Sequence, residues 1–186
     1  LAIALARVSP YGWLRVASKT LVNVVRGMPL LMLIFWAYFV VPKLTGQVIS
    51  GFWTLIAALV VYESAYLSEV IRSGIEAVPR GQIEASRSLG VGYWTTMRRV
   101  VLPQALFNVL PSLTSQFVST VKETSLGYVI SVNELTFAAN QVNNLVLTQP
   151  LQVFGILAII YFVVCFSLSR GLSWLDLRIR RQRAMA

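Results

Sequence analysis

An all-α protein embedded in a membrane is the architecture these 186 residues predict, on three grounds. Hydrophobic residues make up 56% of the chain and charged ones only 12%, where a soluble domain carries about 25% charged residues. The apolar residues gather in stretches long enough to cross a bilayer, which a helix does with about 20 of them. The remaining charges fall between those stretches in a one-sided pattern. At this length the expectation is a single transmembrane domain over residues 1–186, with no room for a separate soluble one.

The elements follow in order. The chain opens LAIALARVSP, with no initiator Met and no basic region ahead of the apolar one. It therefore does not read as a cleavable signal peptide. It reads as the tail of an earlier helix, the first of a five-span core whose remainder is largely missing. A first visible span is expected at about residues 21–41, with Arg26 near its start and Pro42-Lys43 closing it. A second, at about 52–71, is apolar as far as Tyr62 and then carries Glu63 and Glu69. The third, at about 100–121, holds no charge. A fourth, at about 151–168, sits inside a charge-free stretch running from Leu135 to Ser169.

The net charge of +9 could suggest nucleic acid or anionic lipid as a partner, but its distribution gives topology instead. Arg7, Arg15, Lys19 and Arg26 precede the first span. Arg72, Arg80, Arg87, Arg98 and Arg99 lie in or beside the loop between the second and third. Arg170, Arg178, Arg180, Arg181 and Arg183 follow the last. Only Lys43 and Lys122 fall on the other side, so the crowded side is cytoplasmic by the positive-inside rule. A nucleic-acid footprint is not expected. The chain has no histidine, which excludes His-based catalysis and His metal sites. Its single cysteine, Cys165, lies within an apolar run and has no partner for an internal disulfide. A membrane enzyme finds little support, since no metal-ligand cluster or serine–base constellation is visible.

The long cytoplasmic loop, residues 76–99, is the most patterned part. In GIEAVPRGQIEASRSLGVGYWTTMRRVVLPQ, residues Ile83, Leu89, Trp94 and Met97 are spaced to share one side of short helices, with Gly90 and Gly92 turning the chain. A helix–turn–helix lying under the bundle is the simplest expectation. On pattern alone a basic helix resting on anionic headgroups is the lesser alternative.

The run from Glu84 to Pro103 resembles the signature of binding-protein-dependent ABC importer permeases: Glu-Ala-Ala, three residues, Gly, nine residues, then Ile-x-Leu-Pro. Here Glu84-Ala85-Ser86 is followed by Gly90 and then by Val100-Val101-Leu102-Pro103, with Ser86 for the second Ala and Val100 for Ile. RGMPLLMLIFWAYFVVP, AYLSEVIRSGIEAVPRGQ, LPQALFNVLPSL and KETSLGYVISVNELT are similar to the polar amino-acid branch of that family, so the resemblance covers nearly the whole chain. YESAYLSEVIR and the region of Gln116 are most similar to glutamate/aspartate importers, with glutamine importers as the near alternative. The resemblance implies a type I ABC importer transmembrane domain in a bacterial inner membrane. It implies two cytoplasmic ATPase subunits that bind ATP and Mg, a second permease (identical or similar), and a periplasmic or extracellular amino-acid-binding protein. It also implies that Glu84, Ala85, Ser86, Arg87 and Gly90 belong to a coupling element that docks on the ATPase. Small Ala85 and Ser86 would permit close approach, Gly90 a sharp turn, and Arg87 contact with an acidic rim. No G-x-x-x-x-G-K-[ST] phosphate loop occurs in the chain, so ATP hydrolysis must reside elsewhere.

The third span carries a polar stripe. Ser112, Ser115, Gln116, Ser119, Lys122 and Glu123 recur at three- and four-residue steps, hence on one helix face. Such a face can line an aqueous path for an amino acid, or its serines can simply pack helices and bond across the bundle. Gln116 is harder to explain by packing, because lipid offers its amide no partner. Pro103 and Pro111 free backbone carbonyls, as broken transporter helices do. In the second span Glu69 has a ready partner in Arg72, three residues on. Glu63 has no basic residue within a turn, and three roles stay open to it: pairing with another helix, a neutral carboxyl, or a place in the pathway. By resemblance the residues around Lys122 lie near an external gate; by pattern alone, Lys122 and Glu123 mark a helix end. A passive channel or an ion-coupled carrier, with Glu63 as proton site, is the competing function.

Overall fold

The computed structural model describes residues 1–184, excluding the side chains of Arg180 and residues 182–184. Arg180 and Arg183, counted above among the cytoplasmic charges, thus have side chains outside the described residues. Every regular element among the described residues is helical: α1 (Ala2–Arg7), α2 (Gly12–Arg26), α3 (Leu30–Phe35), α4 (Val41–Thr45), α5 (Gly51–Glu76), α6 (Arg80–Ser88), α7 (Tyr93–Thr96), α8 (Leu102–Glu123), α9 (Leu135–Val146) and α10 (Pro150–Ala184). Two π-helical turns, Trp36–Val40 and Met97–Val101, and a 3₁₀ segment, Thr124–Ile130, join neighbouring pieces. Each π turn ends two residues before a proline, Pro42 or Pro103. A proline ring clashes with the carbonyl four residues back and supplies no N–H, and the wider turn relieves both problems.

The expected first span is not one helix. Residues 21–41 are divided between α2, which begins at Gly12, and the helical run from Leu30 to Thr45. The break falls at Gly27-Met28-Pro29. Pro29 cannot donate to the ladder, stands extended at φ −61°, ψ 136°, and starts α3. Among the described residues α5 and α10 are long and apolar enough to cross a membrane, and the bent pair would make a third span. Helix α8 has the length, but its serines and Gln116 keep its composition below theirs.

The chain folds as two compact units, each made of two separated stretches. The first comprises Leu1–Arg26 and Ser64–Thr114. Its core joins Ala4 of α1 and Ile71 and Ile75 of α5 to Met97, Val101 and Ala105. A side chain at Gly74 would collide with Val109 and stand 2.8 Å from the Ala105 carbonyl, so α5 and α8 meet there backbone to backbone. The second comprises Gly27–Glu63 and the chain from Ser115 onward. Its core collects Leu30 and Ile34 of α3, Leu55 and Leu59 of α5, and Ile130 and Val132 beyond α8. Glu134 caps α9, accepting hydrogen bonds from the backbone N–H groups of Thr136 (2.8 Å) and Phe137 (2.7 Å). The Tyr161 hydroxyl on α10 donates to the same carboxylate at 3.3 Å.

Candidate coupling and pathway sites

The signature segment folds as a helix, a turn and a second helix. Helix α6 ends at Ser88, and Gly90 then adopts φ +75°, the left-handed conformation that L-residues avoid. Nothing lies within 4 Å of the place where a Gly90 side chain would stand, so backbone conformation alone selects glycine. Buried Ser86 and Thr96 share a hydrogen bond at 2.9 Å, which ties α6 to α7 across the turn. The Tyr93 hydroxyl donates to the Val8 carbonyl at 2.8 Å, anchoring α7 to the end of α1. Burial raises the Tyr93 phenol above its ordinary pKa, against an opposing effect of Arg87, whose guanidinium lies 5.9 Å from the ring centroid. The phenol therefore stays a neutral donor throughout the physiological range.

What faces outward differs from the sequence expectation in two ways. Glu84, Ala85 and Arg87 are exposed, but Ser86 points inward to Thr96 and is not available for a partner's close approach. The four apolar residues expected on one side separate: Ile83 and Met97 pack on the core of the first unit, while Leu89 (83% exposed) and Trp94 (54% exposed) face away. Ile83 and Leu89 are six residues apart, which at about 100° per residue takes them off a common helix face, and Met97 opens a π turn, which breaks the three-residue step from Trp94.

Farther along α5, Glu69 joins Arg72, as its spacing suggested, and gathers two further partners. Arg7 contacts Glu69 Oε2 directly, Arg26 stands 3.7 Å from the same oxygen, and Arg72 bridges Glu69 and Glu76. Arg26 also lies over the Tyr66 ring, 5.1 Å from its centroid. One carboxylate thus meets guanidinium groups from three helices. Arg7 and Arg26 are distant in sequence, and nothing in the local pattern pointed to them.

In the second unit, Glu63 is 8% exposed and takes a two-pronged hydrogen bond from the Gln116 amide, at 3.2 Å to Oε1 and 3.0 Å to Oε2. Gln116 of α8 thus gives Glu63 a partner on another helix, one of the roles open to it. Ser119 is half-buried, and Ser115 and Lys122 are exposed. Ser119, Lys122 and Glu123 line a cavity of about 330 Å³ with Ser125 and Leu126. Ser112 belongs to the first unit and is exposed there. Glu123, the last residue of the polar stripe, has an Oε2 that is buried and accepts no hydrogen bond among the described residues. No group of acidic or cysteine side chains among the described residues could hold a metal ion.

Residues 1–181 match the family described as the binding-protein-dependent transport system inner membrane component. The chain belongs to that family. This permease is 40% identical over 160 residues to the probable glutamine ABC transporter permease protein GlnP of Bacillus subtilis, covering 85% of this chain and 73% of that one. It is 33% identical over 183 residues to the glutamate/aspartate import permease protein GltK of Escherichia coli, covering 95% and 81%. The solved structure of an amino acid ABC transporter with histidines superimposes at a TM-score of 0.87, with 35% identity over 95% of this chain and 82% of that one. The type I importer fold and a membrane-integral permease subunit are thereby shown. In this permease the backbone at Gly90 by itself explains the glycine of the family signature.

Proposed function

We propose that this permease forms the translocation pathway of an ATP-driven importer of polar amino acids in a bacterial inner membrane. The observation that carries the reading is the exposed Glu84–Ala85–Arg87 face of α6, held by the Ser86–Thr96 bond and the Gly90 turn and built on a family signature. On this reading the face docks on a cytoplasmic ATPase, two of which bind ATP and Mg²⁺, and a second permease completes the pathway. A binding protein delivers the solute from outside. Relatives are named for glutamine and for glutamate and aspartate. Between these, Glu63 supports a neutral amino acid of the glutamine kind, because its buried oxygens offer a hydrogen-bond acceptor where a substrate carboxylate would need a donor. Ser115, Gln116, Ser119 and Lys122 are the candidate pathway residues in the second unit, with Ser112 in the first.

The test is uptake by the complete complex in proteoliposomes, with its cognate binding protein and a panel of amino acids. ATP-dependent uptake of glutamine, with aspartate at least tenfold slower, supports the proposal. Uptake without ATP or ATPase would establish the passive or ion-coupled alternative instead. Glu63→Gln refines the result, since an amide at residue 63 still accepts from Gln116. The variant should assemble normally while relaxing discrimination against aspartate; unchanged selectivity would remove Glu63 from the pathway.

A further inference from the structure

A second concave feature lies wholly within the first unit, and none of the candidate pathway residues lines it. It is a cavity of about 570 Å³ whose walls include Arg7 of α1, Arg15 of α2, Arg80 and Arg87 of α6, and Glu76 of α5. Its charges are unevenly matched. Arg7 is held by Glu69, and Glu76 is engaged by Arg72. Arg15, Arg80 and Arg87 have no acidic partner among the described residues. Three guanidinium groups from two helices therefore converge on one cavity whose carboxylate, Glu76, is already engaged by Arg72. Guanidinium forks fit phosphate oxygens in pairs, which makes a phosphate the matching anion.

The remaining walls say which kind of phosphate. Ile75, Val78 and Met97 give the cavity an apolar floor, unsuited to a bare inorganic ion. Helix α2, which supplies Arg15, presents Trp13 (73% exposed), Val16 (63%) and Val24 (55%) beside Arg15 and Lys19. Exposed aromatic and aliphatic groups next to basic ones are the mark of a helix lying at the headgroup level of a bilayer. All these arginines lie on the side read as cytoplasmic from the charge distribution, where anionic lipids attract basic pockets. We propose that this cavity binds an anionic phospholipid, the phosphodiester meeting Arg15 and Arg80 and the upper methylenes of an acyl chain meeting the apolar wall.

The experiment uses the purified complex of permease and ATPase, stripped of lipid and then exchanged against vesicles of phosphatidylglycerol or phosphatidylcholine. Bound lipid is counted by native mass spectrometry. The wild type should retain phosphatidylglycerol in preference to phosphatidylcholine. Arg15→Gln and Arg80→Gln should each weaken that retention about fivefold, and more together. Arg98→Gln with Arg99→Gln, a basic pair outside this cavity, should leave it unchanged. Any of four results overturns the assignment. These are full retention in the Arg15 and Arg80 variants, an equal loss in the Arg98/Arg99 control, displacement of lipid by millimolar inorganic phosphate, or loss of the ATPase with lipid still bound. The last would assign the cavity to an acidic protein segment.

Discussion

Gly90 isolates a backbone requirement from a packing one. It stands at φ +75° with open space around its Cα, so a valine there meets no neighbour and suffers only the left-handed conformation. That costs about 1–2 kcal/mol, well short of unfolding the protein, but it is concentrated at the turn that presents α6. Gly90→Val should insert and assemble near normally, while uptake falls at least tenfold through lost ATPase binding or uncoupled ATP turnover. Co-purification of the ATPase, alongside uptake and ATP turnover in proteoliposomes, measures this; wild-type behaviour in all three would reject the coupling assignment. Glu69 behaves in the opposite way. Removing its carboxylate leaves Arg7, with a side chain only 7% exposed, buried without a counter-charge. Glu69→Ala should cost about 3 kcal/mol and appear as lost folded yield in detergent, with normal ATPase binding by the fraction that folds. The glycine was legible in the sequence because its reason is local. The arginine cluster was not, since residues 7, 26 and 69 are brought together only by tertiary packing.

At the scale of elements, the sequence yielded helix type and approximate place, and missed where helices break. Apolar length revealed α5 and α10 without ambiguity. It ran across Gly27-Met28-Pro29, because apolar residues stand on both sides and composition does not register a missing N–H. The same blindness hid both π turns, which a proline imposes on residues that are themselves ordinary helix formers. The α6–α7 pair was anticipated as helix–turn–helix, but the inward turn of Ser86 was hidden because its partner, Thr96, lies beyond the left-handed glycine. Two polar contacts position this pair, so each should be measurable. Tyr93→Phe removes the bond to the Val8 carbonyl and should cost about 1 kcal/mol, with a matching rise in hydrogen exchange at the end of α1. Ser86→Ala leaves the Thr96 hydroxyl buried without its partner, at a cost of about 1–3 kcal/mol, and should loosen the turn without touching the exposed Glu84–Arg87 face. If exchange at α6 and α7 stays unchanged in both, the pair is held by its apolar contacts alone.

For the whole molecule, the exposed surface points to company. Helix α10 shows Ile159 at 62%, Phe162 at 66% and Val163 at 54% exposure, more apolar area than water tolerates. Lipid and a second permease are the covers expected here. The permease should therefore transport only in a complex with a second permease and ATPase subunits. Purified single copies reconstituted alone should give no uptake above empty liposomes, and transport by a lone copy would refute this.

The arginine cluster at Glu69 carries a further consequence, for how the chain is made. Synthesis runs from the N-terminus, so Arg7 and Arg26 leave the ribosome well before the one carboxylate that will hold them. Until α5 has emerged, both guanidinium groups must stay hydrated or rest on some other anion, and α1 and α2 cannot take their final places. The N-terminal helices thus wait for a residue made later, and a nascent chain halted ahead of residue 69 cannot bury Arg7 as the finished protein does.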